Sequence, residues 1–427
     1  MKPMRLVMVG NGMAGVRTLE ELLKIAPGRY QITVFGAEPH PNYNRILLSP
    51  VLAGEQTLEQ IVLNPLDWYR QQGITLHTGS TVTTIDRRRR TVTASTADGG
   101  TLSVPYDRLL LATGSQPFML PVPGRTLDGV LAYRDIADTQ AMIDAAATHR
   151  HAVVIGGGLL GLEAANGLQR RGMQVTVVHI GPWLLERQLD ADAAALLQRS
   201  LEQRGLRFRL ATQTQELLGD GLDAQGQPDP GTGRVRAVRF ADGSEVPADL
   251  VVMAAGIRPN TDLARSAGLL CRRGIVVHDT LQTVTDPRIW AVGECAEHRG
   301  VAYGLVAPLF EQGKVCATHL AEFGIGRYPG SQTSTKLKVT GIELFSAGDF
   351  MGGEHCEELV LRDPITQGGV YKKLVIRDGR LVGACLYGDT ADSAWYFQLL
   401  REGRNISALR EQLLFGPPAN DATPAAA

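Results

Sequence analysis

A strand, a glycine-rich turn and a helix follow one another twice in this chain of 427 residues. The first copy is "LVMVGNGMAGVRTLEEL" at 6–22, and the second is "VVIGGGLLGLEAANGL" at 153–168. A further apolar strand follows each copy, "QITVF" at 31–35 and "QVTVVHI" at 174–180, so each copy reads as a βαβ unit. Because the copies lie about 145 residues apart, they predict two parallel-sheet domains and not a solenoid of short repeats.

Both turns have the spacing G-x-G-x-x-G, with glycines at 10, 12 and 15 and again at 156, 158 and 161. In a dinucleotide site the first glycine permits the tight turn, the second admits a pyrophosphate, and the third lets the helix pack on the strand. The free N–H groups and positive dipole of the helix N-terminus attract the phosphates. We therefore expect two dinucleotide sites, the alternative for each being an ordinary βα turn, with Gly10, Gly12, Gly15, Gly156, Gly158 and Gly161 as cofactor-binding residues.

The residues after the second strand of each copy differ. In the first copy, Glu38 comes after the second strand, and its carboxylate can accept hydrogen bonds from ribose hydroxyls. His179 stands where the second copy would carry that acid. A neutral His179 could bond a ribose hydroxyl, a charged one could tolerate a 2′-phosphate, and it could also be a strand-end histidine with no ligand. The choice between NADH and NADPH therefore stays open.

Two dinucleotide sites in one chain indicate a resident flavin beside an exchangeable nicotinamide, with hydride passing between them. Glu163 follows the second glycine motif, and we expect it near the nicotinamide end. The alternative is an acid that only stabilises the helix dipole. Since flavin N5 takes the hydride, no side chain is expected to act as a catalytic acid or base.

Composition excludes several classes. A formal net charge of -1 gives no reason to expect a nucleic-acid partner, and no apolar run approaches the ~20 residues of a membrane span. The first residues lead directly into a strand, so no signal peptide is expected. The five cysteines are widely spaced, which predicts free thiols in the cytoplasm and no metal site.

Four motifs, "VGNGMAG", "LLLATGS", "VVIGGGLLGLEAA" and "TDPRIWAVGECAE", resemble those of the glutathione-reductase-like flavoprotein reductases. The resemblance implies an α/β fold with two Rossmann-like dinucleotide-binding domains and, beyond them, a small α+β C-terminal domain. It also implies FAD in the first site and NADH or NADPH in the second. The FAD contacts it implies are Gly10, Gly12, Gly15, Glu38, Ala112, Thr113, Gly114 and Glu294, where the family usually has Asp, with Arg45 and a weaker match at Arg134. Gly256, in the similar strand end "MAAGI", is also expected to bind a cofactor.

The expected domain bounds follow from the same resemblance. They are 1–120 with 247–325 for FAD, 121–246 for NAD(P)H, 333–415 for the C-terminal domain, and 416–427 as a disordered tail.

Further segments, including "EPHPNYNRILLSPVLAG" and "VVHIGPWLLERQLD", resemble the flavoprotein portion of NADH-dependent assimilatory nitrite reductases and electron-transfer subunits of nitrate reductases. Three departures matter. The segment "NYNRILLSPVLAG" has no cysteine where disulfide reductases carry a redox pair, and Pro50 replaces a lysine common in ferredoxin reductases. The chain also ends without the cysteine cluster of a sirohaem domain, so we expect that it cannot reduce nitrite alone.

The resemblance implies that electrons leave the flavin singly, for an iron–sulfur or haem/molybdenum redox protein. A homodimer and a hetero-complex both stay open as the assembly. One alternative is a rubredoxin or ferredoxin reductase serving another pathway, such as a monooxygenase. An alternative of another class is a non-catalytic flavin-binding redox sensor.

Overall fold

The computed structural model describes residues 3–222, 225, 227–337, 341–365 and 368–418. The chain divides into two units, each of which gathers segments from distant parts of the sequence. Unit 1 consists of Met1–Leu48, Gln56–Gln116 and Ile257–Ser331, and unit 2 of Ser49–Glu55, Pro117–Gly256 and Gln332–Ala427. Most of the tail expected to be disordered, 419–427, lies outside the described residues.

A five-stranded parallel sheet lies at the centre of unit 1. Its strands in spatial order are β23 (Ile289–Ala291), β9 (Arg108–Leu111), β1 (Met4–Val9), β2 (Tyr30–Phe35) and β5 (Thr75–His77). The strands are nearly continuous apolar runs, as expected for a sheet covered on both faces. Leu6, Leu109 and Leu110, for example, are each 0% exposed. Helices α1 (Met13–Ile25) and α8 (Val306–Leu320) belong to this unit.

Smaller elements complete unit 1. A three-stranded antiparallel sheet, β6–β7–β8, lies between β5 and β9 in the chain. The remaining bounds are β3 (Asn42–Tyr43), β4 (Val62–Asn64), β6 (Thr81–Asp86), β7 (Thr91–Ser95), β8 (Thr101–Pro105), β10 (Ser115–Pro117), β21 (Ile257–Pro259), β22 (Ile275–Val277), β24 (Ala296–His298), α3 (Leu66–Gln71) and α7 (Asp262–Ser266), with 3₁₀ turns at Arg45–Leu47 and Glu59–Ile61.

Unit 2 repeats the central plan with a second five-stranded parallel sheet. Its strands in spatial order are β11 (Val130–Ala132), β20 (Leu250–Met253), β12 (His151–Ile155), β13 (Gln174–Val178) and β14 (Arg207–Arg209). The other bounds are α2 (Leu48–Leu52), α4 (Ile136–Thr148), α5 (Leu159–Arg170), α6 (Ala191–Gln203), β15 (Thr214–Gly219), β16 (Gly221–Leu222), β17 (Pro228–Asp229), β18 (Val235–Phe240) and β19 (Glu245–Pro247).

The end of the chain adds an antiparallel sheet and a helix to unit 2. The strands run in the order β25 (Ser334–Leu337), β26 (Leu344–Gly348), β29 (Arg380–Tyr387), β28 (Val370–Arg377) and β27 (Glu357–Asp363). Helix α9 (Ser393–Glu402) covers an apolar cluster that includes Leu374, Leu386 and Leu399, and 3₁₀ turns follow at Ser407–Leu409 and Leu413–Phe415.

The predicted α/β class with two Rossmann-like sheets and a small C-terminal sheet is confirmed. The same local patterns predict a helix from 16 to 25 and, in "RIWAVGECAEH" at 288–298, a strand followed by a small-residue turn and a helix. Both of these local predictions are wrong. Helix α1 begins at Met13 and not at 16, because Gly12 is already its N-cap. The segment after β23 continues into the short strand β24, and the next helix begins only at Val306. The domain bounds stay a prediction, and the segments 121–246 and 333–415 fall together in unit 2.

Candidate dinucleotide-binding sites

The first glycine turn, between β1 and α1, is closed on two sides and open on the third. Gly10 has φ +102°, and a Cβ there would lie 2.1 Å from the carbonyl oxygen of Ala112. A Cβ on Gly15 would lie 2.8 Å from Ala112 Cβ and 2.9 Å from Met8 Sδ. A Cβ on Gly12, in contrast, would meet no atom within 4 Å. The first and third glycines are therefore required by packing, whereas the space beside the second is free for a ligand.

Gly12 is the N-cap of α1, and no side chain caps that helix end. The N–H groups of the first helical turn thus keep their capacity to donate, and the positive end of the helix dipole adds to it. Open space beside uncapped donors fits the pyrophosphate of a dinucleotide.

Glu38 lies three residues after β2 and is held by two neighbours. Tyr43 Oη donates to Glu38 Oε2 at 2.7 Å, and the Arg45 guanidinium donates to Oε1 at 2.5 Å. The Arg45 guanidinium also lies 5.1 Å from the centroid of the Tyr43 ring. A carboxylate oxygen has two lone pairs, so Glu38 can still accept from ribose hydroxyls while these donors fix its position.

The residues that follow β9 form hydrogen bonds with residues that follow β21 and β23. Thr113 Oγ1 donates to the Asn260 carbonyl at 3.0 Å, and Asn260 Nδ2 donates to the Thr113 carbonyl at 2.8 Å. Ser115 Oγ donates to Glu294 Oε2 at 2.8 Å, which holds the Glu294 carboxylate in position. Gly114, at φ +64°, provides the left-handed turn between them.

The second glycine turn, between β12 and α5, reproduces the first. Gly156 has φ +129°, and a Cβ there would lie 2.3 Å from the Ala254 carbonyl oxygen. A Cβ on Gly161 would lie 1.9 Å from the Gly156 carbonyl oxygen, and one on Gly158 would meet nothing within 4 Å. Gly158 is again an N-cap without a side-chain hydrogen bond. Gly256, at φ +113°, follows β20 as Gly114 follows β9.

Glu163, in the first turns of α5, accepts a hydrogen bond from a hydroxyl. Ser49 Oγ donates to Glu163 Oε2 at 2.6 Å, and Tyr133 Oη lies 3.2 Å from Ser49 Oγ as its donor. Burial raises the pKa of the Glu163 carboxyl, and the hydrogen bond from Ser49 offsets only part of that rise. The segment with Pro50 in place of a lysine therefore gives Glu163 a neutral partner.

His179 follows β13 and lies against the second glycine turn. The Gly157 N–H donates to His179 Nδ1 at 3.1 Å, and His179 Nε2 lies 3.4 Å from Glu186 Oε2. The side chain is 12% exposed. The sequence placed no acid at the end of this strand, and the structure brings one there from seven residues further along the chain.

Arg134 stands apart from the other predicted FAD contacts, because it lies in unit 2 between β11 and α4. Its backbone N–H donates to Asp138 Oδ2 at 2.7 Å, within the capping box of α4 that Asp135 and Asp138 form. Its role toward a cofactor stays a prediction, as does that of every site residue above.

All five cysteines lie in the described part of the chain and are free thiols, three of them buried. Among the residues that the structure describes, no three His, Cys, Asp or Glu side chains form a cluster able to hold a metal ion. No helix in the described ranges has the length and apolar composition needed to cross a membrane.

Sequence reasoning missed the partners that position the predicted site residues. They are Tyr43, Ser49, Tyr133, Asn260 and Glu186. Tyr43 and Ser49 lie in the quoted segment "NYNRILLS", but nothing in the sequence indicates which acid each would contact. Contacts such as Ser49 to Glu163 join residues more than a hundred positions apart, which periodicity cannot reveal.

The model of the pyridine nucleotide-disulphide oxidoreductase family matches residues 4–321, and that of the rubredoxin NAD+ reductase C-terminal domain matches residues 334–404. The first match spans well over half of the chain and includes both glycine turns.

Similar proteins extend over nearly the whole chain. Nitrite reductase [NAD(P)H] of Bacillus subtilis (strain 168) is 50% identical over 98% of this chain and 50% of that protein. The assimilatory nitrate reductase electron transfer subunit of the same organism is 47% identical over 97% of this chain and 51% of that protein. The chain thus spans about half the length of these relatives.

A solved structure, the ferredoxin reductase for the CYP199A2 system from Rhodopseudomonas palustris, has 25% identity and a TM-score of 0.81, covering 94% of this chain and 96% of that one. Together with the two open, uncapped glycine turns, these matches identify the chain as a member of the pyridine nucleotide-disulphide oxidoreductase family, an oxidoreductase that uses FAD and NAD(P)H.

Proposed function

We propose that this chain takes electrons from NAD(P)H through FAD and delivers them to a separate iron–sulfur, haem or molybdenum redox centre of assimilatory nitrate or nitrite reduction. The observation that carries the proposal is the presence of two matching dinucleotide cradles in a chain whose cysteines are all isolated, free thiols. A thiol relay needs a neighbouring pair, so the electrons leave by another route. The two relatives described above support nitrogen assimilation as the context.

Unit 1 would hold FAD. The N–H groups that follow Gly12 would bind the pyrophosphate, and Glu38, fixed by Tyr43 and Arg45, would accept from the adenosine ribose. Glu294, held by Ser115, would accept from the ribityl hydroxyls. Bound flavin supplies a hydride acceptor that can return its electrons one at a time.

Unit 2 would hold NAD(P)H. The N–H groups that follow Gly158 would bind its pyrophosphate, and Glu163 would lie near the nicotinamide. Burial raises the pKa of the Glu163 carboxyl, the hydrogen bond from Ser49 offsets part of that rise, and the same hydrogen bond holds the carboxyl where it would orient the ring. No residue is required to transfer a proton for hydride transfer itself.

The test is reduction of the purified chain under anaerobic conditions. We expect a yellow protein with one FAD per chain, whose absorbance is bleached by NADH or NADPH, and which then reduces a nitrite or nitrate reductase component. A colourless protein that FAD does not restore contradicts the proposal. Bound FAD without reduction by either nucleotide would instead support a non-catalytic flavin-binding redox sensor.

A second candidate is a rubredoxin or ferredoxin reductase serving another pathway. It is favoured by the match of residues 334–404 to the rubredoxin reductase C-terminal domain and by the likeness to the ferredoxin reductase from Rhodopseudomonas palustris. Steady-state rates with rubredoxin, a ferredoxin and the nitrogen-assimilating components separate the two. The component with the highest kcat/KM identifies the pathway.

We also propose a cytoplasmic location, which the free thiols support, since such thiols persist in reducing compartments.

A further inference from the structure

The second dinucleotide site lacks an acid at the end of its strand but has one beside that position in space. In dinucleotide sites of this type the side chain at this strand end contacts the adenosine ribose, and a carboxylate there selects the 2′-hydroxyl. His179 holds the position in this chain, so the sequence leaves the nucleotide undecided.

Both ring nitrogens of His179 face groups of the protein. Its Nδ1 accepts a hydrogen bond from the Gly157 N–H at 3.1 Å, and a ring nitrogen that accepts carries no proton. The other ring nitrogen, Nε2, faces Glu186. That nitrogen is buried and lies 3.4 Å from Glu186 Oε2.

Glu186 brings a carboxylate to the same strand end. A Cβ on Gly181 would lie 1.8 Å from Glu186 Oε2, so the carboxylate rests directly on the backbone two residues beyond His179. Its side chain is 40% exposed, which leaves lone pairs available to a ligand. Arg209 lies at the end of the neighbouring strand, where its carbonyl accepts from the His179 N–H, but its guanidinium donates to Ser244 Oγ at 2.9 Å and stacks on Phe240. Arg187 is exposed next to Glu186, and its positive charge would favour a 2′-phosphate, opposite to the effect of the Glu186 carboxylate.

The segment that carries Glu186 is anchored at both ends. The Leu185 N–H donates to the Gly157 carbonyl at 3.0 Å, which ties the segment to the glycine turn. Leu184 and Leu185 are 0% and 2% exposed, and Asp190 caps α6 by accepting from the Ala193 N–H. The backbone that carries Glu186 is therefore held on both sides of this residue.

We propose that Glu186 supplies the ribose-binding carboxylate absent from position 179 and makes the second site selective for NADH over NADPH, an inference that rests on the proposed NAD(P)H site. A 2′-phosphate carries a charge of roughly −1.5 to −2 at neutral pH, so this carboxylate repels it while accepting from an unmodified 2′-hydroxyl.

The experiment is calorimetric titration of the FAD-loaded chain with ADP-ribose and with 2′-phospho-ADP-ribose, which bind without redox chemistry. We expect the wild type to bind ADP-ribose about tenfold or more tightly than the 2′-phosphorylated form, and Glu186→Gln to reduce that ratio to about threefold or less. Glu202→Gln, at the opposite end of α6, is the matched control and should keep the wild-type ratio.

Arg187→Gln tests whether the positive charge of Arg187 attracts a 2′-phosphate to the site. If Arg187 governs the site, the wild type prefers the 2′-phosphorylated ligand and Arg187→Gln removes that preference, which overturns the inference. An unchanged ratio in Glu186→Gln also overturns it, while leaving the proposed function intact. Failure of both ligands to bind would overturn the proposed NAD(P)H site itself, and the inference with it.

Discussion

At the scale of single residues, the glycines divide into those that the fold requires and those that a ligand requires. Gly10 and Gly156 both have positive φ. A Cβ on either would lie 2.1 or 2.3 Å, respectively, from a backbone carbonyl oxygen. Gly12 and Gly158 have ordinary negative φ and empty space beside them. A side chain at the second pair should therefore leave folding intact and affect ligands alone.

We predict that Gly158→Val retains FAD and weakens NAD(P)H binding by about tenfold or more, because the new side chain occupies the space reserved for the pyrophosphate. Gly12→Val should lose FAD instead. FAD content by absorbance and nucleotide affinity by titration measure both. Loss of FAD from Gly158→Val would show that the two cofactors are assigned to the wrong cradles.

Glu163 provides a prediction that depends on pH. Its folded-state pKa is raised above the unfolded value, so the folded protein tolerates the neutral carboxyl and is destabilised as that carboxyl ionises. We expect Glu163→Gln to raise the free energy of unfolding, with little gain below about pH 4.3, the ordinary pKa of Glu, and a growing gain as pH rises through the folded pKa. Urea unfolding of the wild type and of Glu163→Gln at a series of pH values from about 4.3 upward measures this difference in free energy. A gain that does not change with pH contradicts the assignment, and Glu202→Gln serves as the control.

At the scale of elements, helix α6 is capped at its N-terminus and also contacts two strands of the C-terminal sheet. Asp190, 8% exposed, caps the helix and also accepts from Tyr371 Oη of β28 at 2.6 Å. Tyr387 of β29 donates to the Leu196 carbonyl at 3.3 Å further along α6. The C-terminal sheet therefore contacts α6, the helix that follows Glu186 in the chain. These contacts agree with the placement of this sheet in unit 2.

We predict that Tyr371→Phe lowers the free energy of unfolding by about 1.5–3 kcal/mol, because it removes a donor to a buried, charged acceptor. Tyr387→Phe is the matched control and should cost about 0.5–1.5 kcal/mol, since its acceptor is a neutral carbonyl. Chemical denaturation of the two variants gives the comparison. Equal costs would indicate that the charge on Asp190 contributes nothing to the contact.

The local sequence pattern predicts a helix or strand well where a single short segment is enough to specify it. Strands β1, β2, β12 and β13 follow from short apolar runs, and the start of α5 follows from its glycine turn. It failed after β23, where the small residues of "GECAEH" allow either helix or strand. Pairing with β22 makes 296–298 a strand, and propensity alone does not contain that pairing.

At the scale of the whole molecule, each unit carries one dinucleotide cradle and no redox cysteine pair. Cys271 and Cys356 are partly exposed, whereas Cys295, Cys316 and Cys385 are buried. Burial raises the pKa of the Cys295 and Cys316 thiols, which further lowers their reactivity.

We predict that a thiol reagent labels at most two of the five cysteines in the folded protein and all five in denaturant. The labelled, folded protein should keep its rate of flavin reduction by NAD(P)H within about twofold, because no thiol lies on the electron path. Rapid-mixing absorbance before and after labelling measures this. Loss of flavin reduction in the labelled protein would contradict the direct route, and Cys271→Ser with Cys356→Ser would identify the thiol responsible.

The α/β class, the two glycine cradles and the free cysteines can be predicted from the residues alone, because each depends on backbone conformation or residue type within a short segment. The partner of Glu163, the acid beside His179 and the union of the C-terminal sheet with unit 2 become visible only in the folded chain. Ser49 and Glu163 are 114 positions apart, and Asp190 and Tyr371 are 181 apart. Such pairs form because burying a carboxyl demands a donor, and the fold determines which donor is within reach.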